Sequence, residues 1–310
     1  SWSSQCSISS SMRMTPVEWV LLVVLGTLWG GTFFFNAIAI PELPPLVVIL
    51  CRVALATVIL WFFVLAGGIK VPRGRSSWLA LLIMAALNSA LPFFLIAWGQ
   101  IHIASGLASI MIAMTPLFAV VAAHFMTEDE HMSPGKVAGV LAGLVGVVVL
   151  IGPQFLEELG KDLLGQLSVL GAAVCYAVSA IYGRTFSRRA MAPMMVATGQ
   201  MTMATLILLP ITLLVDRPWE YLGASLEAWG AVVGLAVLST SVAYLIFFRI
   251  LARAGAVNIL LVNFIVPISA ILLGVFVLGE LLTLEQLIGM VFIALGLALI
   301  DGRLFLRQSR

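Results

Sequence analysis

Apolar residues along this chain come in runs of ~20, the length an α-helix needs to cross the hydrocarbon core of a bilayer. The runs follow one another from Val17 almost to the C-terminus. They predict ten helices, over residues 17–38, 45–67, 77–98, 103–126, 135–152, 164–186, 193–215, 228–251, 257–279 and 284–305. The gaps are short and leave no room for a soluble domain between spans. The expected fold class is therefore an all-α integral membrane protein. Composition strengthens that reading: 62% of residues are hydrophobic and 10% charged, against roughly half and a quarter in soluble domains. Residues 1–13, serine-rich and lying ahead of the first run, read as a cloning remnant or N-terminal tail, and 306–310 as a cytoplasmic tail. Cys51 and Cys175 fall inside predicted spans and Cys6 in the tail, so no disulfide framework follows.

Basic residues set the expected orientation. With the N-terminus in the cytoplasm, the inner side holds Arg13, Lys70, Arg73, Arg75, Lys136, Arg184, Arg188, Arg189, Arg249, Arg253, Arg303, Arg307 and Arg310. These are thirteen of the sixteen basic residues; the outer side keeps Lys161 and Arg217, and Arg52 lies within a span. Lys/Arg bias sets topology, so both termini are expected inside, in a bacterial inner (plasma) membrane. The net charge of +2 is scattered over short loops, which argues against a nucleic-acid partner.

The chain repeats itself. An offset of 151 brings Trp78 over Trp229 and Pro116 over Pro267, and an offset of 150 then aligns Ser133 with Thr283, Gly139 with Gly289 and Gly146 with Gly296. Trp29 and Tyr176 form an earlier, looser pair. Two five-helix halves follow, over residues 14–153 and 164–305. Because five is odd, the second half enters the membrane from the opposite side, and the repeats are inverted. Glu128, Asp129 and Glu130 close the fourth helix and Glu280 the ninth, on opposite sides, in keeping with inversion. Two conformations related by exchanging such halves present one central site to either face, a common construction in transporters.

The motifs in these halves are Leu28-Trp29-Gly30-Gly31 in the first helix, Pro45 with Arg52 in the second, and Ala104-Ser105-Gly106-Leu107-Ala108 followed by Thr115-Pro116-Leu117-Phe118 in the fourth. The second half answers with Ala254-Gly255-Ala256, Val266-Pro267-Ile268 and Leu278-Gly279-Glu280. Together they resemble the drug/metabolite transporter superfamily, in its EamA-like branch of ten-helix carriers, over nearly the whole chain. Within that branch the chain is most similar to bacterial YddG-like amino-acid exporters. The resemblance implies export of aromatic or hydrophobic amino acids, methionine, threonine-like amino acids and related metabolites. The rivals are a proton-coupled exporter of other small metabolites or drugs, and a membrane-embedded enzyme. Enzyme chemistry finds little support, since His102, His124 and His131 lack metal-ligand spacing and no nucleophile has an adjacent base. No catalytic residue, metal or cofactor is expected.

Candidate cavity residues carry the remaining polarity of the spans. Pro116 and Pro267 should kink their helices and free the carbonyls of Ile112 and Asn263 at matched depths. Such interrupted spans either line a midplane site or are simply satisfied by neighbouring groups. Asn88 and Pro92, and Thr240 and Tyr244, are four apart, so each pair shares a helical face. Asn88 and Ser89 align with Ser239 and Thr240, where such groups either line a cavity or bond across helices. Trp29, Phe33 and Asn36 make an aromatic stripe with a polar point, and Tyr176 and Ser179 a comparable one. Arg52 lies ~10 Å from the outer end of its span at 1.5 Å per residue. It reads either as structural, with its head snorkelling outward, or as a gate or carboxylate contact. Gly135, Gly139 and Gly143, with Gly289 and Gly296, form small-residue ridges for close helix approach. They serve either internal packing, the favoured reading, or dimerisation, and the expected partners are a small-molecule substrate and the lipid bilayer, with the chain a monomer or weak homo-oligomer.

All fourteen Asp and Glu residues fall in predicted loops or near helix ends. Ion-driven carriers commonly place an ionisable group in the pathway, so a facilitative carrier is expected. In proteoliposomes, flux down a substrate gradient should persist unchanged when the proton gradient alone is collapsed; flux that stops under that treatment refutes ion-free transport.

Overall fold

The computed structural model describes residues 14–103, 105–128, 133–153, 156–157, 159, 161–278 and 283–301. Asp129, Glu130, His131, Gly279, Glu280 and both tails lie outside the described residues. Helix α1 spans Pro16–Ala39, α2 Pro45–Ala66 and α3 Arg75–His102. Helix α4 runs in two pieces, Ser105–Ala113 and Thr115–Met126, and α5 spans Pro134–Ile151. In the second half α6 spans Leu163–Arg188, α7 Pro193–Val215 and α8 Leu226–Ala254. Helix α9 again has two pieces, Ala256–Leu260 and Val262–Leu278, and α10 spans Leu284–Asp301. Among the described residues, seven helices are long and apolar enough to cross a bilayer, and shorter apolar helices complete the set.

The starts are set by local chemistry. Proline opens α1, α2, α5 and α7, where its missing N–H costs nothing. Ser225 and the Asp162 carboxylate accept from the backbone N–H groups of Ala228 and Gly165 at 3.1 and 2.9 Å, capping α8 and α6. Helix α3 extends beyond its apolar run, from 77–98 to 75–102, because its polar terminal turns stay helical until Ile103 becomes extended (φ −126°, ψ 152°).

Packing follows the repeat. Helix α1 lies against α8 and α9, and α6 against α3 and α4; α2 pairs with α7, and α5 with α10. Exchanging the halves maps the α1 pairings onto those of α6, and the α2–α7 and α5–α10 pairings onto themselves. The ends confirm inversion: Glu18 in the first turn of α1 meets Arg253 at the end of α8, at 3.7 Å. Asp162 at the start of α6 meets His102 at the end of α3, at 3.2 Å. At the opposite end of α1, Asn36 donates to Gln100 of α3 at 2.9 Å. Helices α1 and α6 therefore begin at opposite faces.

Two π-turns, in which the backbone bonding widens to i→i+5, interrupt α3 at Ala86–Ala90 and α8 at Val237–Val242. The repeat offset of 151 superimposes their first residues. In α3, Pro92 has no N–H to offer the Asn88 carbonyl. In α8, Thr240 and Ser241 donate their hydroxyls to carbonyls five residues back, Leu235 and Ala236, at 2.7 and 2.8 Å.

The kinks expected at Pro116 and Pro267 take unequal forms. Helix α4 breaks at Met114, just ahead of Pro116, whereas α9 breaks at Leu261 and continues helically through Pro267. The Ile112 carbonyl is not left free, because Thr115 donates its hydroxyl to it at 2.6 Å. Here the neighbouring-hydroxyl reading of the proline holds.

The glycine ridges are internal. A Cβ on Gly296 of α10 would stand 2.6 Å from the Gly139 carbonyl oxygen and 3.0 Å from the Gly143 Cα of α5. Backbone is in the way, so the two helices would have to separate. Gly296→Ala is expected to destabilise by ~1–3 kcal/mol through overpacking. Gly230→Ala, which meets nothing within 4 Å, should be neutral or slightly stabilising. Thermal unfolding in detergent, followed by monodispersity, checks the contrast.

Candidate functional site

Between the two halves lies a small cavity of about 50 Å³. Its walls come from α1, α2, α3, α4, α6, α8 and α9. The apolar side is aromatic. Trp29 stands 5.6 Å from both Tyr244 and Phe247, centroid to centroid, and Tyr244 lies 6.2 Å from Phe93. Edge-on and tilted contacts of this kind add ~0.5–1.5 kcal/mol per pair beyond area burial, so the wall is a stiff unit. Phe33, Ile96, Ile112 and Val266 extend it.

Arg52 joins this wall at Phe93. Its side chain does not snorkel outward: Arg52 is 3% exposed and lines the cavity. Its Nε donates to the Thr240 hydroxyl at 2.5 Å and its Nη2 to the Ser239 carbonyl at 3.2 Å. Its guanidinium carbon stands 3.8 Å above the centre of the Phe93 ring. Two of the five N–H donors of a guanidinium are thus engaged. Among the described residues no carboxylate forms an ion pair with it; the ion pairs involve His102, Arg217 and Arg253. A positive charge at mid-helix costs ~2.5–3.5 kcal/mol on the insertion scale, so its retention here needs a reason beyond packing.

Behind the cavity surface sits a buried polar layer. Asn88 donates its amide to the Gln200 side-chain oxygen at 3.3 Å and accepts from the Ser179 hydroxyl at 3.0 Å. Gln200 in turn donates to the Ser89 hydroxyl. The Tyr244 hydroxyl donates at 2.9 Å to the Asn88 carbonyl, the one that Pro92 leaves without its helical donor. The layer ties α3, α6, α7 and α8 together, and every bond in it crosses helices.

Of the residues singled out from sequence, Trp29, Phe33, Asn36, Arg52, Asn88, Tyr176, Tyr244 and Asn263 line this one cavity. Pro92, Ser179, Ser239 and Thr240 do not. Pro92 is turned away because the π-turn places Asn88 on one face with Phe93, five residues on, rather than with Pro92, four on. Ser179, Ser239 and Thr240 stand behind the wall, Ser179 giving its hydroxyl to the Asn88 side chain and Ser239 and Thr240 theirs to the carbonyls of Leu28 and Leu235. Pro116 and Pro267 also lie off the wall; the residues four before them, Ile112 and Asn263, are on it. Sequence reasoning missed the apolar lining residues Ile49, Ile96 and Leu260, and also Thr32, Phe93 and Phe247; of the last three, two carried a signal, lying three residues after Trp29 and Tyr244 on their helical faces. Phe93 carried none, since only the π-turn brings it into register.

The cavity's two ends differ. Toward the C-terminal ends of α1 and α3 stands the Asn36–Gln100 hydrogen bond. Toward the C-terminal ends of α6 and α8, Gly183 lies against Leu251, with room for no Cβ: one would stand 2.7 Å from the leucine Cδ2. By the repeat offsets of 147 and 151, Gly183 and Leu251 correspond to Asn36 and Gln100. The ion pairs beyond them correspond too. Arg253 matches His102, and the carboxylates sit at the third residue of α1 (Glu18) and the N-cap of α6 (Asp162).

Comparison with known proteins agrees with this architecture. The chain is 24% identical to an uncharacterized transporter of Archaeoglobus fulgidus, over 91% of this chain and 98% of that protein. It is 27% identical to protein PecM of Dickeya dadantii, over 91% and 92%. It is 26% identical to the uncharacterized inner membrane transporter YedA of Escherichia coli, over 92% and 91%. A solved crystal structure superposes with a TM-score of 0.73 at 20% identity, covering 94% of this chain and 99% of the other, a likeness of fold. The EamA-like transporter family matches twice, over residues 17–152 and 163–301. The two matches cover both halves, and the chain belongs to the EamA-like transporter family.

Proposed function

We propose that this transporter is an alternating-access, facilitative carrier of the bacterial inner membrane. Both termini are cytoplasmic, and it exports hydrophobic and aromatic amino acids, methionine among them. The observation that carries this reading is the cavity between inverted halves, whose described lining combines an aromatic cluster with one buried cation, Arg52. An aromatic side chain fits the wall of Trp29 and Phe247, and the polar backbone of an amino acid fits the side of Arg52, Tyr176 and Asn263. In this orientation the Gly183–Leu251 contact is the cytoplasmic closure and Asn36–Gln100 the periplasmic one. The halves, residues 14–153 and 164–305, exchange roles as the closures alternate.

Counterflow in proteoliposomes with a panel of amino acids and unrelated metabolites tests the substrate class. Labelled phenylalanine and methionine should accumulate transiently against unlabelled internal substrate. Accumulation of none of the amino acids refutes the assignment. Trp29→Ala should raise the half-saturating phenylalanine concentration about tenfold, equivalent to ~1.4 kcal/mol of lost contact.

Gly183→Val separates α6 from α8 at the cytoplasmic closure. Closing steps set transport rates in carriers and lidded enzymes alike, so flux should fall by ~10-fold or more while equilibrium binding, read from tryptophan fluorescence, stays near wild type. Loss of binding together with flux counts against a closure at that contact.

A further inference from the structure

We propose that the group this cavity recognises is a carboxylate held by Arg52, and that the α-ammonium of an amino acid is dispensable. The carrier then also takes amphipathic organic monocarboxylates: aryl- and alkyl-carboxylates, 2-oxo acids and 2-hydroxy acids. The inference rests on the carrier reading above and narrows it.

Three observations converge on it. The first is the charge inventory of the wall: among the lining residues Arg52 alone carries a formal charge, and none is Asp or Glu. A monocarboxylate neutralises that charge. A zwitterion does so with its carboxylate but sets a second cation in the same low-dielectric space, where only neutral oxygens and ring faces receive it. The second is the posture of Arg52. Thr240 and the Ser239 carbonyl hold Nε and Nη2 from behind, and Phe93 supports the guanidinium face. Nη1 has no acceptor among the described residues, while Arg52 is 3% exposed and on the cavity wall. A planar fork fixed on one edge and open on the other is suited to bidentate carboxylate recognition. The third is the apolar part of the wall, where Trp29 and Phe247 offer their rings to the body of the ligand and no carboxylate stands beside them to pair with an amine.

A brace is the rival account, in which Arg52 merely joins α2 to the π-turn of α8. A brace predicts no preference between carboxylates and amines, so the selectivity of the wild-type protein separates the two. Unlabelled 3-phenylpropanoate should compete with labelled phenylalanine in counterflow within about threefold of phenylalanine itself. Phenethylamine, which keeps the ammonium and lacks the carboxylate, should be at least ~30-fold weaker, as expected for loss of one partner of a buried charge pair. Equal or stronger competition by phenethylamine overturns the proposal, as does failure of 3-phenylpropanoate to compete. Arg52→Gln should erase the carboxylate preference, whereas Thr240→Val, which removes a support and keeps the charge, should retain it at reduced affinity. If both variants lose the preference equally, Arg52 acts as a brace.

Direct binding separates this inference from the carrier reading. 3-Phenylpropanoate should quench tryptophan fluorescence of the detergent-purified protein, and Trp29→Phe should remove the quenching. Quenching without phenylalanine flux removes amino-acid transport and leaves the carboxylate site standing. Flux of phenylalanine without quenching by 3-phenylpropanoate removes the carboxylate site and leaves the carrier.

Discussion

Inside a bilayer no water stands ready to satisfy a displaced backbone carbonyl, and that constraint organises the centre of this protein. Each π-turn frees or misaligns carbonyls in the middle of a span, and each is repaired by a specific side chain. The Asn88 carbonyl takes the Tyr244 hydroxyl, and the Leu235 and Ala236 carbonyls take Thr240 and Ser241. The Ser239 carbonyl, in the second turn, takes Arg52. These repairs come from other helices or from the widened turn itself, so correct assembly of the halves and satisfaction of the backbone are one event. The aromatic wall depends on it as well. Tyr244 is fixed at its hydroxyl by Asn88 and at its ring by Trp29, Phe93 and Phe247.

The same logic explains how a cation persists at this depth. A guanidinium is more weakly hydrated than an ammonium and spreads its charge over a planar fork, which suits a site offering one hydroxyl, one carbonyl and one ring face. The residues that share the cavity wall with it are neutral. Among the described residues the carboxylates in ion pairs, Glu18, Asp162 and Glu220, all lie off the cavity wall, and none pairs with Arg52.

Much of this was legible in the sequence, for physical reasons. Span length, the two matched prolines and the odd number of helices per half constrain the architecture because bilayer thickness and inversion leave few alternatives. Trp29, Phe33 and Asn36 lie on one face of an undistorted stretch of helix, so a 3.6-residue period finds them. It fails at α3, where the π-turn moves Pro92 off the face and Phe93 onto it. It fails again for Thr240 and Ser239, whose hydroxyls serve backbone carbonyls, Leu235 in the same helix and Leu28 in α1, and give a sequence pattern indistinguishable from cavity polarity. The contrast between Pro116 and Pro267 was equally hidden. Thr115 caps the freed Ile112 carbonyl beside the first proline, and the helix breaks at different distances from the two.

Inversion makes the two faces equivalent in architecture without making them equal in energy. Corresponding positions hold a polar pair, Asn36 and Gln100, at one end and an apolar contact, Gly183 on Leu251, at the other. Water competes for the amides whenever the first end opens, so separating them costs little; parting glycine from leucine exposes apolar surface and gains no new bond. The ion pairs beyond them differ as well, Arg253 with Glu18 at one end and His102 with Asp162 at the other. Duplication supplies the symmetry of the path, and these few unequal pairs are where its two ends part in chemistry.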